Sequence, residues 1–188
     1  MRVSVSIAIF ASCIGVAAAA QKPEPSTKGG DEAEVTHINF EGSALDIAWT
    51  REHNVSEKTL ELSSERAWSA YPAAFADLGL DPNIIDTRQM VFGSDGTHRY
   101  KLGKKRLSHF FECGNMLGVA TADSYEVWVR LVSQIVPIDG SLSTVRTEVD
   151  AVARIGDRQG ETVRCTSSGA LESRLAALLA EEAAKLEE

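Results

Sequence analysis

Two stretches of alternating hydrophobicity, separated by one turn, constrain this chain more than anything else in it. In residues 125–136, Tyr125, Val127, Val129, Leu131, Ser133 and Ile135 fall on one face of an extended backbone; in 143–155, Val145, Thr147, Val149, Ala151, Ala153 and Ile155 do the same. A period of two is the signature of a strand with one buried face. Pro137-Ile138-Asp139-Gly140-Ser141 between them reads as a turn, so the two stretches predict an antiparallel hairpin. Its register can be decided, because a slip of one residue moves every side chain to the opposite face of the sheet. Pairing Val129 with Ala151, Leu131 with Val149, Ser133 with Thr147 and Ile135 with Val145 keeps the inner set together. The same register sets Arg130 opposite Asp150 and Glu126 opposite Arg154 on the outer face, opposite-charge pairs each worth about half a kcal/mol. It requires an odd-numbered loop centred on Gly140, three or five residues long, where Asp139-Gly140 alone would suggest a tight two-residue turn.

The remaining pattern supplies partners for that hairpin. Residues 35–40 read as a short strand, and 47–50 and 58–62 as strands around a polar turn at Glu52-His53-Asn54. Ser63-Ser64-Glu65 offers a cap and an acidic first turn to a helix whose Trp68, Tyr71, Phe75 and Leu78 share one face. Pro72 is expected to kink it, and Gly79 to stop it in the left-handed conformation. Residues 83–86 and 89–93 follow as short strands, with a turn at Ser94-Asp95-Gly96. Residues 100–108 read as extended around Gly103, and 109–113 as a short irregular segment. After a last strand at 162–165, Ser168 is expected to cap a helix carrying Leu171, Leu175, Leu178, Leu179 and Leu186 along one side, with Glu181 supporting Lys185 at i, i+4. A hairpin that is apolar on one face only must be covered there. The predicted fold is therefore α+β and two-layered, a twisted antiparallel sheet with two helices packed on one face.

The N-terminus speaks to compartment. Met1-Arg2 gives a short positive start, residues 3–16 a mostly apolar run, and Ala18-Ala19-Ala20 the small residues that a signal peptidase accepts before Gln21. We read 1–20 as a signal peptide, 21–34, with Pro23, Pro25, Gly29 and Gly30 among charges, as a flexible leader, and 35–188 as one domain. The apolar run is too short, and interrupted by Ser4, Ser6 and Ser12, to predict a transmembrane span, so a periplasmic or secreted product is expected. Phe10-Ala11-Ser12-Cys13 resembles a lipoprotein cleavage box, which leaves a lipid anchor at Cys13 as the alternative. With Cys13 in the signal peptide, Cys113 and Cys165 remain for an oxidising compartment and are predicted to pair, closing a loop of about 52 residues worth roughly 4 kcal/mol in the chain-entropy model. The alternative is two reduced cysteines buried as small apolar residues. A net charge of −8 disfavours nucleic acid as a partner, since phosphate neutralisation needs a basic face.

A resemblance adds to this reading. The segments Glu65-Arg66-Ala67-Trp68, Leu78-Gly79-Leu80, Ile84-Ile85-Asp86 and Met90-Val91-Phe92-Gly93 resemble the opening of helix-grip domains in exported bacterial proteins, including the accessory lipoprotein of the outer-membrane β-barrel assembly machinery. Residues 106–114, 122–125 and 165–172 are similar to segments recurring in bacterial exported proteins. The resemblance spans residues 55 to 180 or so and implies a helix-grip fold and a place in the cell envelope; it carries over no catalytic residue.

Three groups of residues are candidate sites. Arg99, Lys101, Lys104, Lys105 and Arg106, with His98 and Tyr100 nearby, form a dense basic run in an acidic chain, fit for anionic headgroups, lipopolysaccharide or an acidic partner, or else simply a solvated hairpin. Trp68, Tyr71 and Phe75 either line an apolar pocket between helix and sheet, making the domain a carrier, or belong to the core. His109, Glu112 and Cys113 are zinc-donor types within one turn, but an oxidised Cys113 is no thiolate ligand, so no metal is predicted. No phosphate loop, nucleophile elbow or paired-carboxylate motif is recognisable, and we expect no cofactor and no catalytic residue. The expected function is a non-enzymatic binding domain for an envelope protein or anionic envelope surface, acting through the basic hairpin or an exposed sheet edge; the alternative is a carrier of a small apolar ligand.

Overall fold

The computed structural model describes residues 34–40, 43–49, 55–155 and 162–186. The predicted signal peptide, Cys13, nearly all of the leader and the polar turn at Glu52-His53-Asn54 lie outside the described residues. In chain order the structure runs through β1 (Glu34–Phe40), β2 (Ser43–Trp49), β3 (Ser56–Leu60), α1 (Ser64–Leu78), β4 (Ile84–Asp86) and β5 (Val91–Arg99). Short pieces follow, β6 (Lys101–Leu102), β7 (Lys105–Arg106), a single 3-10 turn at Leu107–His109, β8 (Phe111–Glu112), β9 (Asn115–Met116), β10 (Val119–Ala120) and the four-residue α2 (Thr121–Ser124). Then come the long strands β11 (Glu126–Pro137) and β12 (Ser143–Arg154), β13 (Thr162–Ser167) and α3 (Ala170–Lys185).

The register of the long hairpin is the one its hydrophobic pattern dictates. Val129 faces Ala151, Leu131 faces Val149, Ser133 faces Thr147 and Ile135 faces Val145, with Arg130 opposite Asp150 and Glu126 opposite Arg154. Pro137 pairs with Ser143, so the loop has five residues. Asp139 closes it, its Oδ1 accepting from the Ser141 and Leu142 backbone N–H groups at 2.7 and 2.8 Å. Those donors hold the Asp139 carboxyl below its ordinary pKa.

Around this hairpin the main sheet is antiparallel, ordered β4-β5-β11-β12-β13-β8. The second edge of β12 is divided, Ser143–Thr147 pairing with β3 and Ala151–Arg154 with β13. β1 and β2 pair with each other from Glu34↔Trp49 to Phe40↔Ser43. Both long helices contact one another and the same face of the sheet, and their buried residues join those of β11 and β12 in one core. The architecture is α+β and two-layered, as the one-sided hairpin requires.

α1 begins on Ser63, whose Oγ accepts from the Arg66 N–H at 3.4 Å, and ends at Gly79, φ 71°. It continues through Pro72, which lies on the exposed side of the helix. α3 differs from expectation at both ends. Its N-cap is Gly169, not Ser168; Ser168 Oγ accepts from the Ala170 N–H at 3.4 Å and donates to the His109 carbonyl at 3.0 Å. Leu171, Leu175, Leu178 and Leu179 are buried, but Leu186 lies past the last helical turn and is exposed. Lys185 pairs with Glu182 at i, i+3, and Glu181 instead meets Arg174.

Ser94-Asp95-Gly96, expected as a turn, lies inside β5. Its poor strand formers are held there by β11, in the pairs Leu131↔Ser94, Arg130↔Asp95 and Val129↔Gly96. Side chains complete the segment: Asn83 exchanges two hydrogen bonds with the Asp95 backbone at 2.7 and 2.8 Å, Ser94 Oγ donates to the Asp81 carbonyl, and the Trp128 indole N–H donates to Asp95. Tertiary pairing overrides local propensity there.

Candidate functional site

The basic run is displayed by a hairpin of two-residue strands, β6 against β7, with Lys101 opposite Arg106 and Leu102 opposite Lys105. So short a hairpin has no intrinsic stability and must be anchored. Two buried leucines, Leu102 and Leu107, hold it to the core, and the Leu107 N–H returns to the Tyr100 carbonyl at 3.1 Å. Its turn also presses on the end of α1. A Cβ on Gly103 would stand 2.9 Å from the Leu78 carbonyl oxygen and 3.1 Å from that of Asp77, while one on Gly79 would stand 2.9 Å from the Gly103 nitrogen. Both residues have φ in the left-handed region, 53° and 71°, so glycine is required twice over at this crossing.

The cations of this run are left in water. Arg99, Lys101, Lys104, Lys105 and Arg106 are all exposed. Arg106 approaches Asp123 at 3.8 Å; the other four have no carboxylate partner among the described residues. α1 has no basic residue in its own last turn, so the hairpin brings positive charge towards the negative end of its dipole. That explains why a basic turn is tolerated at this helix end, but not why five cations gather there.

Between the hairpin, the end of α1 and the start of α3 lies an open cleft of about 270 Å³. Lys104, Lys105 and Arg174 line one side with His109, and Leu78, Leu102 and Phe110 form an apolar floor. Arg174 is already committed to Asp77 at 3.5 Å and Glu181 at 3.0 Å, which leaves the two lysines as the cations available to a ligand. The basic-run reading did not include Arg174 or Asp77. Their signal was faint: each is one charge on the polar side of an amphipathic helix.

His98, at the end of β5, is half-buried, and its Nε2 has no hydrogen-bond partner among the described residues. Burial holds the imidazole below its ordinary pKa, and the charge of Asp81 pulls the other way.

Of the two readings of the aromatic stripe, the core describes its packing. Tyr71 and Phe75 are fully buried and Trp68 partly so. Phe92 of β5 occupies the space between helix and sheet, stacked on Tyr71 at 5.1 Å and edge-on to Phe75 at 4.9 Å and Trp68 at 5.8 Å. The Tyr71 hydroxyl shares a hydrogen bond with Ser133 Oγ at 2.8 Å, and Ser133 shares one with Thr147 Oγ1 at 3.2 Å. Burial pushes the Tyr71 phenol well above its ordinary pKa. Phe92 thus packs among all three rings of the stripe.

Cys113 and Cys165 are joined, with their Cα atoms 4.2 Å apart. The bridge fastens the end of β8 to β13, beside the pair Glu112↔Thr166. It also consumes the sulfur that a His109, Glu112 and Cys113 metal site would have used; His109 instead packs edge-on to Phe110 at 5.0 Å.

A surface that the sequence reading passed over lies between the bridge and α2. β9 and β10 form a hairpin with Met116 opposite Val119, closed by the two-residue turn Leu117-Gly118 with φ of 51° and 83°. An X-Gly pair flanked by Met116 and Val119 was the available signal.

Among the described residues, no helix is long and apolar enough to cross a membrane. No family model matches the sequence, and no curated protein matches it. Among solved structures, the chain is similar to the crystal structure of a DUF4468 family protein from Bacteroides ovatus, at 8% identity and a TM-score of 0.32, over 71% of this chain and 81% of that one.

Proposed function

We propose that this chain is an exported, non-enzymatic binding domain of the bacterial cell envelope, which takes an anionic envelope component at the basic hairpin. The observation that carries this reading is the combination of four cations without carboxylate partners and a turn clamped by two glycines against α1. A merely solvated loop needs no such clamp, whereas a recognition surface gains from being held in one geometry. The signal-like N-terminus and the Cys113–Cys165 bridge support an oxidising compartment outside the cytosol.

The test is charge reversal. Lys104→Glu with Lys105→Glu is expected to weaken association with the envelope fraction roughly thirtyfold, counting about 1 kcal/mol for each lysine near an anionic surface. Unchanged fractionation of the folded double variant would sink the hairpin reading. Intact mass of the cellular protein tests export: a chain starting at Gln21 is expected, an acylated chain starting at Cys13 would mean a lipoprotein, and full-length protein with free thiols would overturn export altogether.

A further inference from the structure

The β9–β10 hairpin puts apolar side chains where a domain ordinarily puts polar ones. Leu117 is 99% exposed, Val119 54% and Met116 39%, three within four residues at one tip. Isolated exposed apolar residues are ordinary, but a contiguous set on a projecting turn marks a contact. Leu117 also runs against backbone preference, because at φ 51° a turn of this kind favours asparagine, aspartate or glycine. Leucine there gains neither burial nor conformational ease within the domain itself.

The tip is firmly mounted. Cys113 is bridged to β13 immediately before it, the Thr121 N–H closes its base on the Gly114 carbonyl at 3.0 Å, and the Tyr125 hydroxyl donates to Met116 Sδ at 2.9 Å. Its far end is tied to the basic hairpin. Asp123, three residues past Ala120, accepts from Ser108 N–H at 2.9 Å and Ser108 Oγ at 2.7 Å and meets Arg106 at 3.8 Å. At the start of that basic hairpin Tyr100 is 53% exposed, with the Arg99 guanidinium 5.7 Å from its ring centroid.

From these observations we infer that the Met116-Leu117-Val119 tip enters the headgroup region of an anionic lipid bilayer while the neighbouring Lys101, Lys104 and Lys105 meet its phosphates. The inference rests on the anionic-partner reading of the basic hairpin and names that partner as lipid. Unpaired cations, an exposed tyrosine and an apolar tip joined at their feet are the chemistry of a surface that lies on a membrane without crossing it.

Sedimentation with vesicles tests this, comparing phosphatidylethanolamine–phosphatidylglycerol vesicles with phosphatidylcholine vesicles. Wild type and variants are recovered from one host in the same processed form. Wild type is expected to sediment with the anionic vesicles, less so as salt rises, and not with the neutral ones. Leu117→Asn suits the left-handed turn and should leave the fold intact by circular dichroism, yet lower binding roughly tenfold, the partition of one leucine side chain. Lys104→Glu with Lys105→Glu should remove the salt-dependent part. Equal binding by wild type and Leu117→Asn overturns the proposal. So does an absence of vesicle binding while charge reversal still releases the protein from the envelope fraction, a result that points to a protein partner and leaves the basic-hairpin reading standing. Failure of that reading has its own signature, fractionation indifferent to charge reversal.

Discussion

The β11–β12 hairpin and the segment from Arg99 to Ala120 are both antiparallel pairs closed by turns, yet opposite principles hold them in place. In the long hairpin twelve residues on each strand repeat one instruction, apolar inward, and any single side chain could be weakened without changing the register. Past Arg99, the end of β5, no strand up to Ala120 exceeds two residues and only β8 joins the main sheet, and position depends on a few contacts: Gly79 against Gly103, Asp123 against Ser108, and the Cys113–Cys165 bridge. The comparison teaches that redundancy builds the scaffold and singular anchors aim the surface. Exposed cations and apolar tips contribute little to folding, so they are carried where the sequence has the fewest ways to go wrong.

The largest expected effect sharpens the first half of this contrast. Leu131→Ala, in the fully buried centre of β11, should cost about 3 kcal/mol of global stability through lost burial and a residual cavity. Urea unfolding followed by two probes should keep a single shared transition, since the remaining repeats still fix the register. Two separate transitions would show that the scaffold is less redundant than its pattern.

Next in size, Gly103→Ala attacks an anchor. It should cost about 2 kcal/mol, because a Cβ there meets carbonyl oxygens at an unfavourable φ. Hydrogen exchange should distinguish it from Leu131→Ala: the Leu107 amide, which bonds the Tyr100 carbonyl, should lose protection while amides of β11 keep theirs. Equal loss in both places would erase the distinction between scaffold and anchor.

The smallest effect lies at the junction of the two regions. His98 has a depressed pKa in the folded state, so the unfolded chain takes up the proton more readily. Its contribution to stability is complete above the ordinary imidazole range and fades as pH falls through the folded-state value. Between about pH 7 and about pH 5, wild type should lose slightly more stability than His98→Leu, with the other histidines common to both. An identical pH dependence would mean that Asp81 compensates the burial fully.

What was legible in the sequence follows the same division. The register of β11 and β12, the Ser63 and Gly79 ends of α1 and the buried leucines of α3 could all be read, because each rests on several residues agreeing or on a local capping rule. The Cys113–Cys165 pairing was legible by elimination once Cys13 was assigned to the signal peptide. Ser94-Asp95-Gly96 was not, since what makes it a strand is Asn83, Trp128 and β11, all distant in sequence. The basic run was visible as charge, but its clamp was not: Gly79 and Gly103 look like two unrelated turn glycines until they are seen to touch. Trp68, Tyr71 and Phe75 gave the right helix face but left its use open, because helical spacing is the same for a pocket wall and for a core. The Met116-Leu117-Val119 tip escaped notice because so short an apolar set leaves no periodic trace.

The hydroxyl chain from Tyr71 through Ser133 to Thr147 has a bearing on uniqueness as much as on strength. An oily helix on an oily sheet can slide by a fraction of a turn at little cost, since dispersion is nearly indifferent to direction. A phenol that must meet one particular serine behaves like an indexing pin: it locks α1 at a single setting along β11 and, through the Gly79–Gly103 crossing, settles where the basic turn emerges at the domain's rim.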